Sequence, residues 1–259
     1  KDGQKTMMPR TAWPAEWIWE QVYPLLPDFT VEVLPEIDSS NSELMRRARS
    51  GQHEATLLVA ERQTAGRGRM GRVWQSQPGD SLTFSLGLPL APKDWSGLSL
   101  AVGLSLAESL HPDIRLKWPN DLWLEDRKLG GILVEAATMG GRSHVVVGVG
   151  LNIQKQPAAG LHTAPAALTE RLPHTSAADA LARVAKPLVQ ALLNFEADGF
   201  APLQSRFELR DALKGRQVHT SDGQQGLALG VSASGGLRLQ TTLGVQDIHS
   251  AEISVRPFI

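Results

Sequence analysis

The sequence predicts an α+β protein in which a mixed region of strands and helices precedes a small all-β unit. Between residues 30 and 153, short β-branched and apolar runs alternate with helical patterns. The apolar period becomes helical between residues 176 and 209, and short strands separated by glycine turns follow Lys214. This order of elements predicts a sheet packed against helices, followed by a β unit at the C-terminal end.

The individual elements have local signals of their own. Residues 11–29 form an amphipathic piece that allows one or two helical turns. Ser39 or Ser40 can cap the next helix, because a serine oxygen accepts hydrogen bonds from backbone N–H groups of a first turn. Helices are predicted at residues 41–50 and 98–110, with one or two between residues 176 and 209. Strands are predicted at residues 30–37, 55–61, 81–88, 114–118, 128–139, 143–153, 216–220, 226–232, 236–242 and 252–257. A Pro-Asn-Asp turn is expected to join strands 114–118 and 128–139, and residues 154–167 are expected to form a mobile loop.

Composition and charge exclude several classes of protein. The 259 residues are 42% hydrophobic and 20% charged, which is typical of a folded globular chain. A net charge of -1 argues against general attraction to nucleic acids or membranes. With no cysteine and seven scattered histidines, neither a disulfide framework nor a transition-metal site is expected. The chain has no apolar signal-peptide core and no apolar run of membrane-spanning length, so we expect a cytoplasmic protein. Because the chain begins with Lys1, whether its first six residues are native stays open.

The most informative segment is residues 65–74, which read AGRGRMGRVW and follow a predicted strand directly. Residues 66–71 match the G-x-G-x-x-G pattern, but a dinucleotide-binding loop also needs a helix behind its glycines. Pro78 and Gly79 break any helix there, so the match is a coincidence of spacing. RNA binding needs several Arg/Gly units or a wide basic surface, and this chain has one such unit.

An anion cradle for one small ligand is the interpretation that this Arg/Gly segment favours. Glycines let the backbone approach a ligand closely. Arg67, Arg69 and Arg72 offer forked donors that suit phosphate or carboxylate oxygens. Trp74 can cover an aromatic base or an apolar ring. For an isolated segment of this kind, a solvated surface turn is the alternative.

Three further segments combine rigid turns with polar groups. KWPND at residues 117–121 places a lysine and two short polar side chains around a proline turn. RKLGGILVE at residues 127–135 places Lys128 before paired glycines, and VGVGLN at residues 147–152 ends a buried strand in glycines and an asparagine. Each segment taken singly fits a tight turn, a bulge or a loop asparagine. Together they suit an anionic nucleotide beside a compact, mostly apolar partner.

These four segments, in this order and spacing, closely resemble those of the biotin protein ligases, the biotin–[acetyl-CoA-carboxylase] ligases. EIDSSN at residues 36–41 resembles the serine/threonine-asparagine segment of the same family. The resemblance runs from residue 31 to the C-terminus. It implies a mixed sheet with flanking helices, related to class II aminoacyl-tRNA synthetases, followed by a small SH3-like β-barrel. The expected organisation is an N-terminal extension at residues 1–30, a biotin- and ATP-binding catalytic domain at residues 31–212, and an SH3-like domain at residues 213–259.

The resemblance implies an ATP-dependent ligase reaction in two steps. The carboxylate of biotin attacks the α-phosphorus of ATP, which gives biotinyl-5′-AMP and pyrophosphate. A lysine of the biotin carboxyl carrier protein of acetyl-CoA carboxylase then takes the biotinyl group, and AMP leaves. Because an anion must approach a polyanion, we expect arginines, a lysine and Mg²⁺ to neutralise charge and to align the reactants.

The resemblance also assigns roles to matching residues. The expected catalytic residues are Lys128, Arg69 and Lys117, with Lys128 between the carboxylate of biotin and the α-phosphate. The expected biotin-binding residues are Ser39, Ser40, Asn41, Gln63, Gly66, Arg67, Lys128, Gly131, Leu133 and Gly148. The expected ATP- and adenylate-binding residues are Arg69, Arg72, Trp74, Asn120, Asp121 and Asn152, with Trp74 and Asn152 on the adenine. No residue is expected to ligate a metal. Whether Asp121 deprotonates the incoming lysine or holds its turn stays open.

Two alternatives share much of this pattern. A lipoate or octanoyl ligase of the same fold needs a different loop and a longer, apolar acyl slot. A non-catalytic biotin- or nucleotide-binding regulator would bind both ligands without releasing pyrophosphate. The residues ahead of residue 31 are too few for the winged-helix domain of the family's repressors, so no DNA binding is expected. The resemblance leaves a homodimer open, and Met70 stands where the family often has a further basic residue.

Overall fold

The computed structural model describes residues 12–158, 160–161, 163–249 and 254–258. The first six residues, whose native origin the sequence left open, lie outside these ranges. Within that part, the α-helices are α1 (Ala15–Val22), α2 (Ser40–Arg49), α3 (Leu98–Leu110), α4 (Ala177–Asp198) and α5 (Gln204–Glu208). The strands are β1 (Thr30–Leu34), β2 (Thr56–Ala60), β3 (Ser81–Pro89), β4 (Arg115–Lys117), β5 (Asp121–Leu124), β6 (Arg127–Met139), β7 (Arg142–Asn152), β8 (Gln217–Thr220), β9 (Gln225–Val231), β10 (Leu237–Thr241), β11 (Gly244–Ile248) and β12 (Val255–Pro257).

Seven strands form a mixed central sheet in the order β1-β2-β3-β7-β6-β5-β4. The β1–β2 pair is parallel, and the other neighbouring pairs are antiparallel. Helices α3 and α4 pack on each other and cover one face, where α3 contacts β4 to β6 and α4 contacts β3. Helix α2 lies on the opposite face, against β2, β3, β6 and β7. None of the helices described is both long and apolar enough to cross a membrane.

Alternation along β3 separates the core face of the sheet from its polar face, because successive side chains of a strand point to opposite sides. On the side of α3 and α4, β3 contributes fully buried apolar side chains, each of which stabilises the fold by about 1.5–3 kcal/mol. These side chains are Leu82, Phe84, Leu86 and Leu88. On the side of α2, β3 places hydroxyl groups and a glycine at Ser81, Thr83, Ser85 and Gly87. The face under α2 is therefore the one on which a polar site can form.

The N-terminal helix belongs to the main core. Ile18 and Val22 of α1 are buried with Phe29 in the cluster that holds β3 and α4. The expected extension therefore packs on the catalytic region. The domain boundaries at residues 30/31 and 212/213 remain proposals.

The C-terminal strands form a second, antiparallel sheet in the order β11-β10-β9-β8-β12. This sheet fits the expected SH3-like unit, and the mixed α+β class is confirmed. Two contacts tie it to the central sheet. The buried Trp118 indole donates to the Gly235 carbonyl (2.9 Å), and Arg216 pairs with Asp126 (3.0 Å).

The sequence patterns did not predict two of the strands, β5 and β11. The expectation of a single Pro-Asn-Asp turn before residue 128 was wrong, because β5 intervenes and returns to β6 through Glu125 and Asp126. Both of these residues have positive φ (50° and 59°). Turns of this kind usually contain glycine or asparagine, so the sequence Glu-Asp did not indicate one. Strand β11 was missed because it is short and buries only one of its side chains, Ile248, so it shows no clear apolar alternation. Residues 154–167 contain no helix or strand where the structure describes them.

We predict that Gly235→Ala destabilises the fold more than Gly223→Ala does. Both glycines have positive φ (83° and 91°), so each alanine costs about 1–2 kcal/mol of backbone strain. A Cβ at Gly235 would also stand 2.8 Å from the Gly97 Cα atom, whereas nothing lies within 4 Å at Gly223. The additional crowding should cost a further ~1–3 kcal/mol. Urea unfolding of the two variants measures the difference, and equal losses would contradict the packing of the β unit against α3.

Candidate active site

A cleft opens to solvent beside the polar face of the central sheet. It lies between the N-terminus of α2, the Arg/Gly segment, β6, β7 and the end of β12. Most of the residues expected from the sequence line it together: Ser39, Ser40, Asn41, Gln63, Arg67, Arg69, Arg72, Trp74, Lys117, Asp121, Lys128, Gly131, Leu133 and Gly148. Segments of the chain that lie between residue 39 and residue 256 therefore share a single site.

Three expected residues stand behind the walls of the cleft. A Cβ at Gly66 would lie 2.3 Å from the Trp74 carbonyl oxygen, so glycine lets the Arg/Gly segment fold back on itself. Asn120 is buried, and its amide oxygen accepts a hydrogen bond from Arg69 (2.9 Å). Asn152 is also buried, and it donates to the Lys128 carbonyl (3.3 Å). The expected contact of Asn152 with adenine stays a prediction.

A neutral polar network fills the end of the cleft under α2. Helix α2 begins after its N-cap Ser39, whose hydroxyl accepts from the Ser42 N–H (3.2 Å), so the structure selects Ser39 from the two caps that the sequence allowed. The backbone N–H and hydroxyl of Ser40 both donate to the Gln63 amide oxygen (2.7 and 3.1 Å). The Ser85 hydroxyl of β3 lies 2.7 Å from that of Ser40. This end of the cleft therefore presents fixed, uncharged donors and acceptors.

Asn41 and Glu135 connect this network to the Arg/Gly segment. The Asn41 side chain donates to the Leu133 carbonyl and to the Glu135 carboxylate, both at 3.1 Å. The Arg67 guanidinium lies 2.7 Å from the same carboxylate. Arg67 is 41% exposed, so this ion pair contributes at most about 1 kcal/mol and can open for a ligand. Glu135, which the sequence interpretation did not single out as a site residue, holds Arg67 at the rim.

Bare backbone forms the floor of the cleft in the middle of β7. A Cβ at Gly148 would stand 2.3 Å from the Asn41 amide oxygen, and one at Gly150 would stand 2.3 Å from the Trp74 ring. The strand register places Gly131 of β6 beside Gly150. The glycines thus let side chains from α2 and the Arg/Gly segment lie directly on the sheet.

Three charged side chains meet at the opposite end of the cleft. The Asp121 carboxylate lies 3.3 Å from the Lys128 ammonium and 3.8 Å from the Lys117 ammonium. Lys117 is largely buried, and burial lowers its pKa to about 8, although Asp121 acts to raise it. Lys128 is 45% exposed, and its backbone carbonyl accepts from the Ala166 N–H (2.9 Å). An anion that enters this end of the cleft meets two lysines held in place by one carboxylate.

The Arg/Gly segment folds as a tight loop over the cleft. The backbone N–H of Trp74 donates to the Gly66 carbonyl (2.9 Å), and the backbone N–H of Gly68 donates to the Arg72 carbonyl (2.7 Å). Burial lowers the pKa of Arg69, whose guanidinium reaches the β4–β5 turn. Strand β3 follows this segment without an intervening helix, so the rejection of a dinucleotide-binding loop is confirmed.

The structure adds residues that the sequence interpretation missed. Val255 and Arg256 of β12 line the cleft together with Ser254, which precedes the strand, and Arg72 donates to the Ser254 hydroxyl (3.3 Å). No local pattern marks these residues, because only the folded β unit brings them to the cleft. Thr83 of β3 also lines the cleft, and the period-two alternation of its strand is a signal that could have found it.

The cleft has little capacity to ligate a metal ion by itself. Among its described lining residues, Asp121 is the one carboxylate. Elsewhere in the described part of the chain, no group of three His, Asp or Glu side chains could hold a metal ion.

Comparisons with known sequences relate the chain to one family. Residues 33–152 match the biotin/lipoate A/B protein ligase family. The bifunctional ligase/repressor BirA of Escherichia coli strain K12 is 35% identical over 252 residues, which cover 92% of this chain and 77% of that protein. The biotin–[acetyl-CoA-carboxylase] ligase of Paracoccus denitrificans is 31% identical over 240 residues, which cover 85% of this chain and 98% of that protein.

Solved structures lead to the same family. The biotin protein ligase from Aquifex aeolicus in complex with biotin and ATP is 30% identical to this chain and superimposes with a TM-score of 0.75. The match covers 88% of this chain and 99% of that one. The fold, the assembled cleft and these relatives agree, and the chain belongs to the biotin protein ligases.

Proposed function

We propose that this chain activates biotin with ATP, giving biotinyl-5′-AMP and pyrophosphate, and transfers the biotinyl group to a lysine of a biotin carboxyl carrier protein. One observation carries this proposal. A single cleft joins a neutral hydrogen-bonding end to an end that holds two lysines about one carboxylate. Biotin has the same polarity, with a neutral ureido ring at one end and a carboxylate at the other.

The orientation of biotin follows from the two ends of the cleft. Ser40 and Gln63 present a fixed donor and acceptor pattern that suits the ureido N–H and C=O groups. The glycine floor of β7 suits flat, fused rings that lie against backbone. The carboxylate then lies towards Lys128, and the triphosphate towards Lys117, Arg69, Arg72 and Arg256.

The first step forms a bond between a carboxylate oxygen of biotin and the α-phosphorus of ATP. The bond from that phosphorus to the bridging oxygen breaks, and pyrophosphate leaves with both electrons. Lys128 is placed to contact both reacting anions and to offset their repulsion, which is the main barrier to their approach. The described cleft needs only to align and neutralise the reactants, and no enzyme nucleophile takes part.

In the second step, a neutral lysine amine of the carrier protein attacks the carbonyl carbon of the mixed anhydride. The bond from that carbon to the phosphate oxygen breaks, AMP leaves with its electrons, and the new amide nitrogen loses one proton to solvent. We assign Asp121 to the positioning of Lys117 and Lys128, because its two oxygens face the two ammonium groups.

Mg²⁺ fits this site as an ion that arrives with ATP. Mg²⁺ is commonly held by one or two carboxylates together with substrate phosphates. Asp121 is the lining residue that would share it, and when bound the ion would shield the charge of the phosphates.

A lipoate or octanoyl ligase fits this cleft less well. The apolar acyl part of either acid could form no hydrogen bonds with the polar end of the cleft at Ser40, Asn41 and Gln63, whereas the ureido group of biotin could. A homodimer remains a prediction from the resemblance.

We predict that the wild-type chain releases pyrophosphate from Mg·ATP with biotin and not with lipoate or octanoate. Lys128→Ala should abolish release, because it removes the ammonium between the two anions. Lys186→Ala, at an exposed site on α4, is the matched control and should keep full release. Release with lipoate alone would indicate a lipoate ligase. Biotin binding without release of pyrophosphate would indicate a non-catalytic regulator.

We predict that Arg69→Gly releases its adenylate faster than the wild type. The substitution breaks the contact of the loop with Asn120, and losing a charged hydrogen bond should raise the dissociation rate about 10- to 100-fold. Escaped biotinyl-5′-AMP would then label lysines of bystander proteins. Arg142→Gly makes the same chemical change at an exposed position at the start of β7 and should leave retention unchanged. If Arg69→Gly retained the adenylate as long as the wild type does, the assigned role of Arg69 in closing the loop would be wrong.

We predict that kcat/KM for ATP falls as pH rises through about 8. The pKa of Lys117 in the free protein is lowered to about 8 by burial, so its ammonium is present below that pH and lost above it. If the ammonium binds phosphate, the fall should reach about tenfold per pH unit. Lys117→Arg, which stays charged, should not show this fall. Initial rates of pyrophosphate release at low ATP provide the profile, and a flat wild-type profile would contradict the assigned role.

A further inference from the structure

Thr83 places an unpaired hydroxyl in the floor of the cleft. Its side chain lies on β3 and is 5% exposed. Within the described part of the chain, its hydroxyl oxygen has no hydrogen-bond partner, although the residue lines the cleft. A buried hydroxyl without a partner costs about 1–3 kcal/mol, so native proteins rarely retain one without a reason.

Strand geometry places this hydroxyl between the two ends of the cleft. Thr83 is two residues from Ser85, so both side chains lie on the same face at a separation of about 7 Å. Ser85 hydrogen-bonds to the neutral network through Ser40 (2.7 Å). In the other direction, Thr83 pairs with Gly150 of β7, on which the Trp74 ring rests. The hydroxyl therefore lies one strand repeat from the proposed ureido site, on the way to Trp74 and Lys128.

We propose that Thr83 is a specificity-determining residue whose hydroxyl donates a hydrogen bond to the thioether sulfur in the fused rings of biotin. The proposal rests on the proposed function and on the orientation of biotin derived from it. In biotin, the sulfur lies on the side of the fused rings opposite the ureido carbonyl, and the acyl chain starts at the adjacent carbon. With the ureido group at Ser40 and the carboxylate at Lys128, the sulfur lies over the middle of the floor.

The chemistry of the pair accounts for selection against a close analogue. A thioether is a weak acceptor, so the gain from this bond is small. An acid that lacks the sulfur leaves the Thr83 hydroxyl unpaired in a buried position, so only biotin relieves that cost, and this difference is the discrimination. Dethiobiotin is such an acid, because it keeps the ureido ring and the carboxylate but has no sulfur.

The test compares biotin with dethiobiotin in pyrophosphate release by wild type and Thr83→Val, which removes the hydroxyl and keeps the shape of the side chain. We expect the ratio of kcat/KM for biotin to that for dethiobiotin to fall about 3- to 10-fold in Thr83→Val. Thr83→Ser keeps the hydroxyl and should restore most of the ratio. Thermal unfolding of each variant establishes that it is folded.

Two controls separate this role from a general effect on the pocket. Thr56→Val makes the same change at another buried threonine, on β2 outside the cleft, and should leave the ratio unchanged. Ser40→Ala should reduce kcat/KM for both acids by the same factor, because they share the ureido group. A purely structural role of Thr83 would likewise weaken both acids equally.

The outcomes distinguish this inference from the proposed function. If the wild type releases no pyrophosphate with biotin, the proposed function fails and the role of Thr83 fails with it. If the wild type is active and Thr83→Val keeps the wild-type ratio, the role of Thr83 is overturned and the proposed function stands. A lowered ratio that Thr83→Ser restores supports the assignment.

Discussion

The two glycines in the middle of β7 are the constraint on which the binding face depends. A side chain at Gly148 or Gly150 would collide with Asn41 or with the Trp74 ring, each 2.3 Å from the position of a Cβ. Asn41 anchors the start of α2, and Trp74 ends the Arg/Gly segment. Because these positions carry no side chain, two walls from distant parts of the chain can close onto one floor.

Glycines weaken a strand, and the opposite face of the sheet offsets that weakness. The residues that alternate with these glycines, Val147 and Val149, are buried in the core under α3 and α4. The same division runs along β3, where leucines face the core and hydroxyl groups face α2. Stability and recognition are therefore assigned to opposite faces of the same strands, and a change on the polar face leaves the core largely intact.

Charge organises the other end of the cleft. Lys117 and Lys128 would repel each other in a partly buried site, and Asp121 between them reduces that repulsion. The lowered pKa of Lys117 indicates that one carboxylate does not compensate for its burial. We infer that a bound polyanion completes this compensation, so that the site is electrostatically incomplete until ATP binds. Arg256, which the second sheet contributes, adds to the same positive field.

Much of the fold and most of the site could be predicted from the sequence, because the signals are local. Periodicity, a serine N-cap at residue 39 or 40 and four short motifs by themselves determined the main elements, the family and most of the cleft residues. Only the tertiary structure decided that β12 closes the cleft and that Asn120 and Asn152 stand behind its walls. It also decided that Thr83 lines the cleft and that β5 separates two expected strands. These features depend on strand register and on which distant segments meet, and no pattern within a short stretch of sequence encodes either.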